Sequence, residues 1–453
     1  MICCVVLMLF AVGYGAMTRH VPEAGAFYAY VQHGLGRANG RGAAYLALVT
    51  YTAVQVAVYG YIGAVAADLV QHYGGPALPW WLWAAVALAG VGLLGYRHIE
   101  LSGKVLGVLL LCEVGIVLVL DAAVIARGGG PSGLSTALLQ PGQVGSGSLG
   151  LGLVFAIASY LGFEATAIFR DEARDPQRTI PRATYISLIV IGGFYTLSSW
   201  AVVSAWGDTE AVKAAGTDPG GMLLTTMQRQ LGATAADIAE VLLMTSLFAA
   251  ALSFHNVLAR YGFSLGASGA LPLRCSSRHE RHGSPHVTSV LQSISAALFV
   301  AVCAAFRMDP VTQVFAWLAG TATLGVLLLM SLTCLAVIVY FRRTRRDPRF
   351  WHTLAAPGLG LLALGRQLPP ADRWFDGAGD RSGRHTRRGL RDRRTPRARP
   401  APAGHRGRRR AARSRGRLIT SPEAGARSRS RGQPGRGPRT QGGRAGAPAP
   451  GRA

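Results

Sequence analysis

Two glutamates occupy positions where carboxylates are costly. Glu164 follows a glycine inside the apolar run Gly150–Phe169, and Glu113 lies within VLGVLLLCEVGIVLVLD. An ionisable group at such depth in a lipid span costs about 2.5–3.5 kcal/mol, so it faces a bundle interior or a wet cavity. The residues before Glu164 are Ala158, Ser159, Tyr160, Leu161, Gly162 and Phe163. Serine and glycine here allow a helix to unwind and present free N–H and C=O groups to a solute, which is binding chemistry. The structural alternative is a Glu164 that snorkels toward Arg170 or bonds a neighbouring helix. Glu113 has the same two faces: a helix–helix hydrogen bond, or a carboxyl that takes up and releases a proton. Tyr51, Gln55 and Tyr59 recur every four residues on one helical face, which either lines a cavity or packs. Asn256 and His255 sit late in another apolar block.

These side chains need membrane helices to hold them. A hydrocarbon core about 30 Å thick takes roughly 20 apolar residues as helix. Candidate spans are Ala43–Gln71, Trp80–Tyr96, Val105–Ala126, Gly150–Phe169, Thr184–Trp206, Ala236–Ala259, Val287–Phe306 and Thr312–Phe341. Met1–Ala16 is a short span, and Leu354–Gly365 starts like another and stops. Backbone polar groups in lipid must be satisfied within their own segment, so the spans are expected to be helices. Half of the 453 residues are hydrophobic and 15% are charged, against about 25% in soluble domains.

Loop charge alternates. Arg19, Arg37 and Arg41 follow the first block. Arg97 and Lys104 follow Trp80–Tyr96, a run of arginines from Arg170 follows Gly150–Phe169, and RRTRRDPR follows Phe341. The intervening loops, including GDTEAVKAAGTDPGG, carry few bases. Basic loops stay cytoplasmic, which orients the chain with these loops inside, and the inner (cytoplasmic) membrane is the expected location.

GFEATAIFRDEARDPQRTIPRA resembles the sixth-span signature of amino acid permeases of the APC (amino acid–polyamine–organocation) superfamily. The matching residues are Gly162, Phe163 and Glu164, then Glu172, Pro176, Arg178, Ile180, Pro181, Arg182 and Ala183. RHVPEAGAFYAYVQHGLGR looks like the family's loop after its second span, through Pro22, Gly25, Tyr28, Gly34 and Gly36; LARYGFSLGASGALP looks like the end of its eighth, with Pro285 before the ninth. The resemblance implies an all-α fold of two inverted five-helix repeats, with substrate held at mid-membrane by a broken helix. It implies that Ala158, Ser159, Tyr160, Gly162, Phe163 and Glu164 bind an amino acid or amine; Tyr51, Gln55 and Asn256 are candidates for lining the cavity, with a packing or structural role as the alternative. Ala158, where some relatives carry a bulky aromatic, implies a roomier pocket. Glu113 falls on the fifth family helix and is the candidate for coupling transport to protons, by symport or exchange. In family register Met1–Ala16 is the second span, so the first span and the last two are expected to be absent, the stub Leu354–Gly365 excepted. The permease domain is expected over residues 1–365.

Residues 366–453 hold 25 Arg, no Lys and five acids, and so carry +20 of the net +25. Without a hydrophobic period this stretch cannot bury a core and is expected to be disordered. It reads as a polybasic lipid-binding segment, as a nucleic-acid tail on a membrane anchor, or as the product of a shifted reading frame, the last being preferred. An inactive truncated permease is a further alternative. GSGSLG before Gly152 lacks the preceding strand of a dinucleotide site, and Cys275, His279, His282 and His286 fit no zinc spacing. The six cysteines form no disulfide pattern, and no enzyme, cofactor or metal is expected. The expected partners are a small-molecule substrate, protons and the bilayer, with no specific nucleic acid.

Overall fold

The computed structural model describes residues 1–21, 26–97, 103–140, 142, 149–167, 174–279 and 283–367. All of them fall in one compact unit, Met1–Arg381. The stretch 368–453, and with it nearly all of the basic tail, lies outside the described residues. So do Pro22, Gly25, Arg170, Glu172 and His282.

The described residues form helices joined by short turns, without a β-strand. The α-helices are α1 Ile2–Thr18, α2 Ala26–Leu35, α3 Arg37–His72, α4 Trp80–Tyr96, α5 Gly103–Ala126, α6 Leu149–Ala158, α7 Pro176–Trp206, α8 Asp208–Thr217, α9 Met222–Leu231, α10 Ala233–Ala267, α11 His286–Ala305, α12 Ala316–Thr344 and α13 Ala356–Gly365. Among the described residues six helices are long and apolar enough to cross a membrane, and α1 and α4 are shorter apolar helices. The chain is a multi-pass, all-α membrane protein.

Two stretches expected as loops are helical. The acidic loop after Trp206 folds into α8 and α9, whose short polar helices carry too little apolar length to register as spans. The stretch after α1 contains α2, where Phe27, Tyr28, Ala29, Tyr30 and Val31 are buried. Its ten residues are too few to cross a bilayer but enough to fill the gap between α3 and α12, against which it packs. Gly34 makes this crossing possible, because a Cβ there would collide with the backbone of Ala336.

α3 and α12 are the most enclosed spans. α3 packs against α2, α4, α10 and α12, while α1 packs against α7 and α13. At the α1–α7 crossing Gly15 faces Pro181 closely: a Cβ added there would lie 3.2 Å from the proline side chain, a tight contact. The main core joins α1, α2, α3, α6, α7, α10 and α12 through residues such as Phe10, Tyr14, Phe27, Tyr51, Tyr261 and Met330. Side-chain dispersion and small residues at crossings, rather than water exclusion, hold helices together in lipid.

Candidate functional site

The apolar run expected as one span is interrupted. α6 ends at Ala158, residues 159–162 form a turn, and Phe163–Ala167 continue as a single 3₁₀ turn. Gly162 takes φ of +108°, a conformation open to glycine and strained for a side chain. It is the backbone reason for the break.

Glu164 closes the break from inside the bundle. Its Oε2 accepts the Gly162 N–H at 3.0 Å, and its Oε1 accepts the Tyr51 hydroxyl of α3 at 2.6 Å. Its main-chain carbonyl accepts the Tyr14 hydroxyl of α1 at 3.1 Å. The Glu164 side chain is fully buried, and both carboxylate oxygens have donors, as a buried carboxylate requires. The structural alternative of a bond to a neighbouring helix thus holds for its side chain. Phe163 packs edge-on to Phe10 at 6.0 Å, and Tyr160 edge-on to Tyr195 at 6.4 Å.

The six motif residues divide into two sets. Tyr160, Phe163 and Glu164 are buried, so they anchor the turn. Ser159 is exposed and Ala158 and Gly162 are half-buried, so these three carry the accessible side of the break. Ser159 Oγ donates to the Ala156 carbonyl at 2.7 Å, which fixes its rotamer.

The other candidates lie apart from this clasp or beside it. Tyr51 belongs to it. Gln55, further along α3, turns to α11 instead: its Oε1 accepts from Gln292, while its Nε2 donates to Tyr59 of its own helix at 3.3 Å. Asn256 is half-buried on α10, and its neighbour His255 bonds Ser289 at 2.8 Å. Glu113 is half-buried on α5 and lines a cavity of about 300 Å³ with Thr245, Ser246 and Ser253 of α10. His279 and His286 stack edge-on at 5.3 Å and both pack against Tyr96, so their rings are held by aromatic contacts.

Tyr14, Gln292 and Ser289 were not singled out from the sequence. Each sits in an apolar block as an ordinary packing residue, and only its partner across the bundle reveals its part.

The model for "Amino acid permease" matches residues 1–354. The chain belongs to the amino acid permease family. Curated relatives of this family member include the lysine-specific permease LysP of Escherichia coli (strain K12), 24% identical over 327 residues, 68% of this chain and 63% of that protein. The low-affinity putrescine importer PlaP of the same strain is 21% identical over 59% of this chain and 58% of its own length. The branched-chain amino acid permease BcaP of Bacillus subtilis (strain 168) is 26% identical over 48% of this chain and 44% of its own length. This permease-family chain thus spans about three-fifths of the first two relatives it matches. These relatives are transporters by name, and nothing in the family comparison points to an enzyme.

Proposed function

We propose that the protein carries an amino acid or a related amine across the inner (cytoplasmic) membrane as a secondary transporter, by proton symport or exchange. The observation that supports this most directly is the interruption of an apolar span at Ser159–Gly162, braced by Glu164. In this reading Ala158, Ser159 and Gly162 meet the solute through their main-chain groups and small side chains. Tyr160, Phe163, Glu164 and Tyr51 hold the turn in shape. Gln55 and Asn256 line the path. Glu113, facing a largely apolar cavity between α5 and α10 that also holds Thr245, Ser246 and Ser253, is the coupling group. The relatives' printed names favour three ligand classes: lysine, a polyamine such as putrescine, and branched-chain amino acids. The inverted five-plus-five repeat belongs to the same reading, as does the division into a permease domain over residues 1–365 and a separate tail.

The test is uptake of radiolabelled lysine, putrescine and leucine by the full chain in lipid vesicles, with and without a proton gradient. Saturable uptake of at least one, competed by the unlabelled compound, is expected. A folded protein that neither binds nor accumulates any of the three would sink the reading. Deleting residues 366–453 is expected to leave substrate binding intact. Loss of all activity on that deletion would favour a tail-centred function on a membrane anchor.

A further inference from the structure

Asp121 is a second buried acid, and the transport reading leaves it without a task. It lies on α5 eight residues beyond Glu113, roughly 12 Å along the helix axis. It is 1% exposed. Ser198 of α7 donates to its Oδ2 at 2.7 Å. Its Oδ1 is buried and has no hydrogen-bond partner among the described residues. The surroundings are apolar: Leu120 and Val124 of α5 pack with Ala201 of α7, Met227 of α9 and Ala239 of α10.

Several charged groups of the packed elements have partners other than Asp121. Arg127 donates to Gln230, Arg229 stacks on Trp206, Arg178 pairs with Asp175, and Asp237 pairs with His72. Glu240 of α10 is itself an acid, and Tyr195 packs on Tyr160. No cation among these balances Asp121. A buried carboxylate with one bare oxygen and no counter-charge is unfavourable, and a proton removes the charge without further partners.

We propose that Asp121 is a proton-binding site, a neutral carboxyl held against Ser198 while α5 and α7 are in contact. Ser198 is its positioning residue, because the hydroxyl can donate to or accept from the carboxyl as the proton moves between oxygens. Separation of α5 from α7 admits water and allows the proton to leave. This last consequence rests on the transport reading, since it links the proton to helix movement.

Infrared spectroscopy of the full chain in lipid at neutral pH reads the protonation state directly. The wild-type minus Asp121→Asn difference is expected to contain the C=O stretch of a protonated carboxyl. Loss of carboxylate bands instead would overturn the proposal. Ser198→Ala, which keeps Asp121, is expected to move that C=O band to higher frequency by removing its hydrogen bond. A band that does not move overturns the role of Ser198, whether or not the asparagine variant folds. In uptake assays Asp121→Asn is expected to lose one pH-dependent step, and an unchanged pH profile overturns the link to movement. Absence of uptake by the wild type would sink the transport reading while leaving the infrared result standing.

Discussion

The hydroxyl of Tyr51 donates to Oε1 of Glu164 at 2.6 Å, tying the middle of α3 to the turn that interrupts α6. This bond lies between two side chains that are essentially inaccessible to solvent, 113 residues apart in sequence. It gives the buried carboxylate a donor from another element, while the Gly162 N–H supplies one from the turn itself.

Tyr51→Phe removes that donor and leaves Oε1 buried without a partner. Such a loss costs about 1–3 kcal/mol. The variant is expected to melt at lower temperature in detergent and to lose substrate uptake. Wild-type melting and uptake would show that the clasp is dispensable.

Gly162→Ala places a side chain at φ +108° where no neighbouring atom lies within 4 Å of the new Cβ. The penalty is therefore conformational, about 1–3 kcal/mol, with no steric clash. Substrate affinity is expected to fall more steeply than expression, because the accessible side of the turn changes shape. Binding measured by scintillation proximity checks this; equal affinity would dissociate the turn from the solute.

Gly34→Ala and Gly42→Ala form a matched pair. A Cβ at Gly34 meets the backbone of Ala336, which cannot rotate away, whereas at Gly42 it meets open space. The first substitution is expected to destabilise by about 1–3 kcal/mol through overpacking at the α2–α12 crossing. The second is expected to be neutral or to stabilise by up to about 1 kcal/mol, since Gly42 lies inside α3. Thermal unfolding of both variants makes the comparison, and equal melting temperatures would contradict it.

Gln292→Ala is expected to strand the buried amide of Gln55, at about 1–3 kcal/mol. Leucine at both positions is expected to restore part of that loss, because no amide is then stranded, although the buried Tyr59 hydroxyl loses the Gln55 donor. A double-mutant cycle on thermal stability measures the coupling. Additive losses would mean that the two amides do not depend on each other.

Asp347, in the segment between α12 and α13, accepts from Arg349 Nη2 at 2.6 Å and from its Nε at 3.0 Å. The Arg349 hydrogen bonds hold its carboxyl at about 2, below the usual 3.8. Because the folded value is depressed, the ion pair contributes fully above the unfolded value of about 3.9 and fades as pH falls through about 2. The stability difference between wild type and Asp347→Asn is therefore expected to be flat above about pH 4 and to shrink between about pH 4 and pH 2. Denaturation across that range checks it, and a difference that persists at low pH would rule out the ion pair as its source.

The sequence by itself carried the helices and the position of the break. Apolar runs of span length must satisfy their backbone internally, so Trp80–Tyr96 was legible to the residue, whereas α3, α7 and α10 run six to eight residues past one end of the apolar stretch that marks them. The Ser159–Gly162 interruption was legible because glycine and serine inside such a run have local conformational consequences. Tertiary structure alone decided that Tyr51 reaches Glu164 while Gln55, one turn away on the same helix, turns to Gln292. It also decided that Ser159 remains accessible while Tyr160 does not, and that the short stretch Ala26–Leu35 becomes a buried wedge between α3 and α12. Local periodicity says which face of a helix is apolar. Which partner meets each polar atom is set by helix crossings between residues distant in sequence, and no local pattern encodes those.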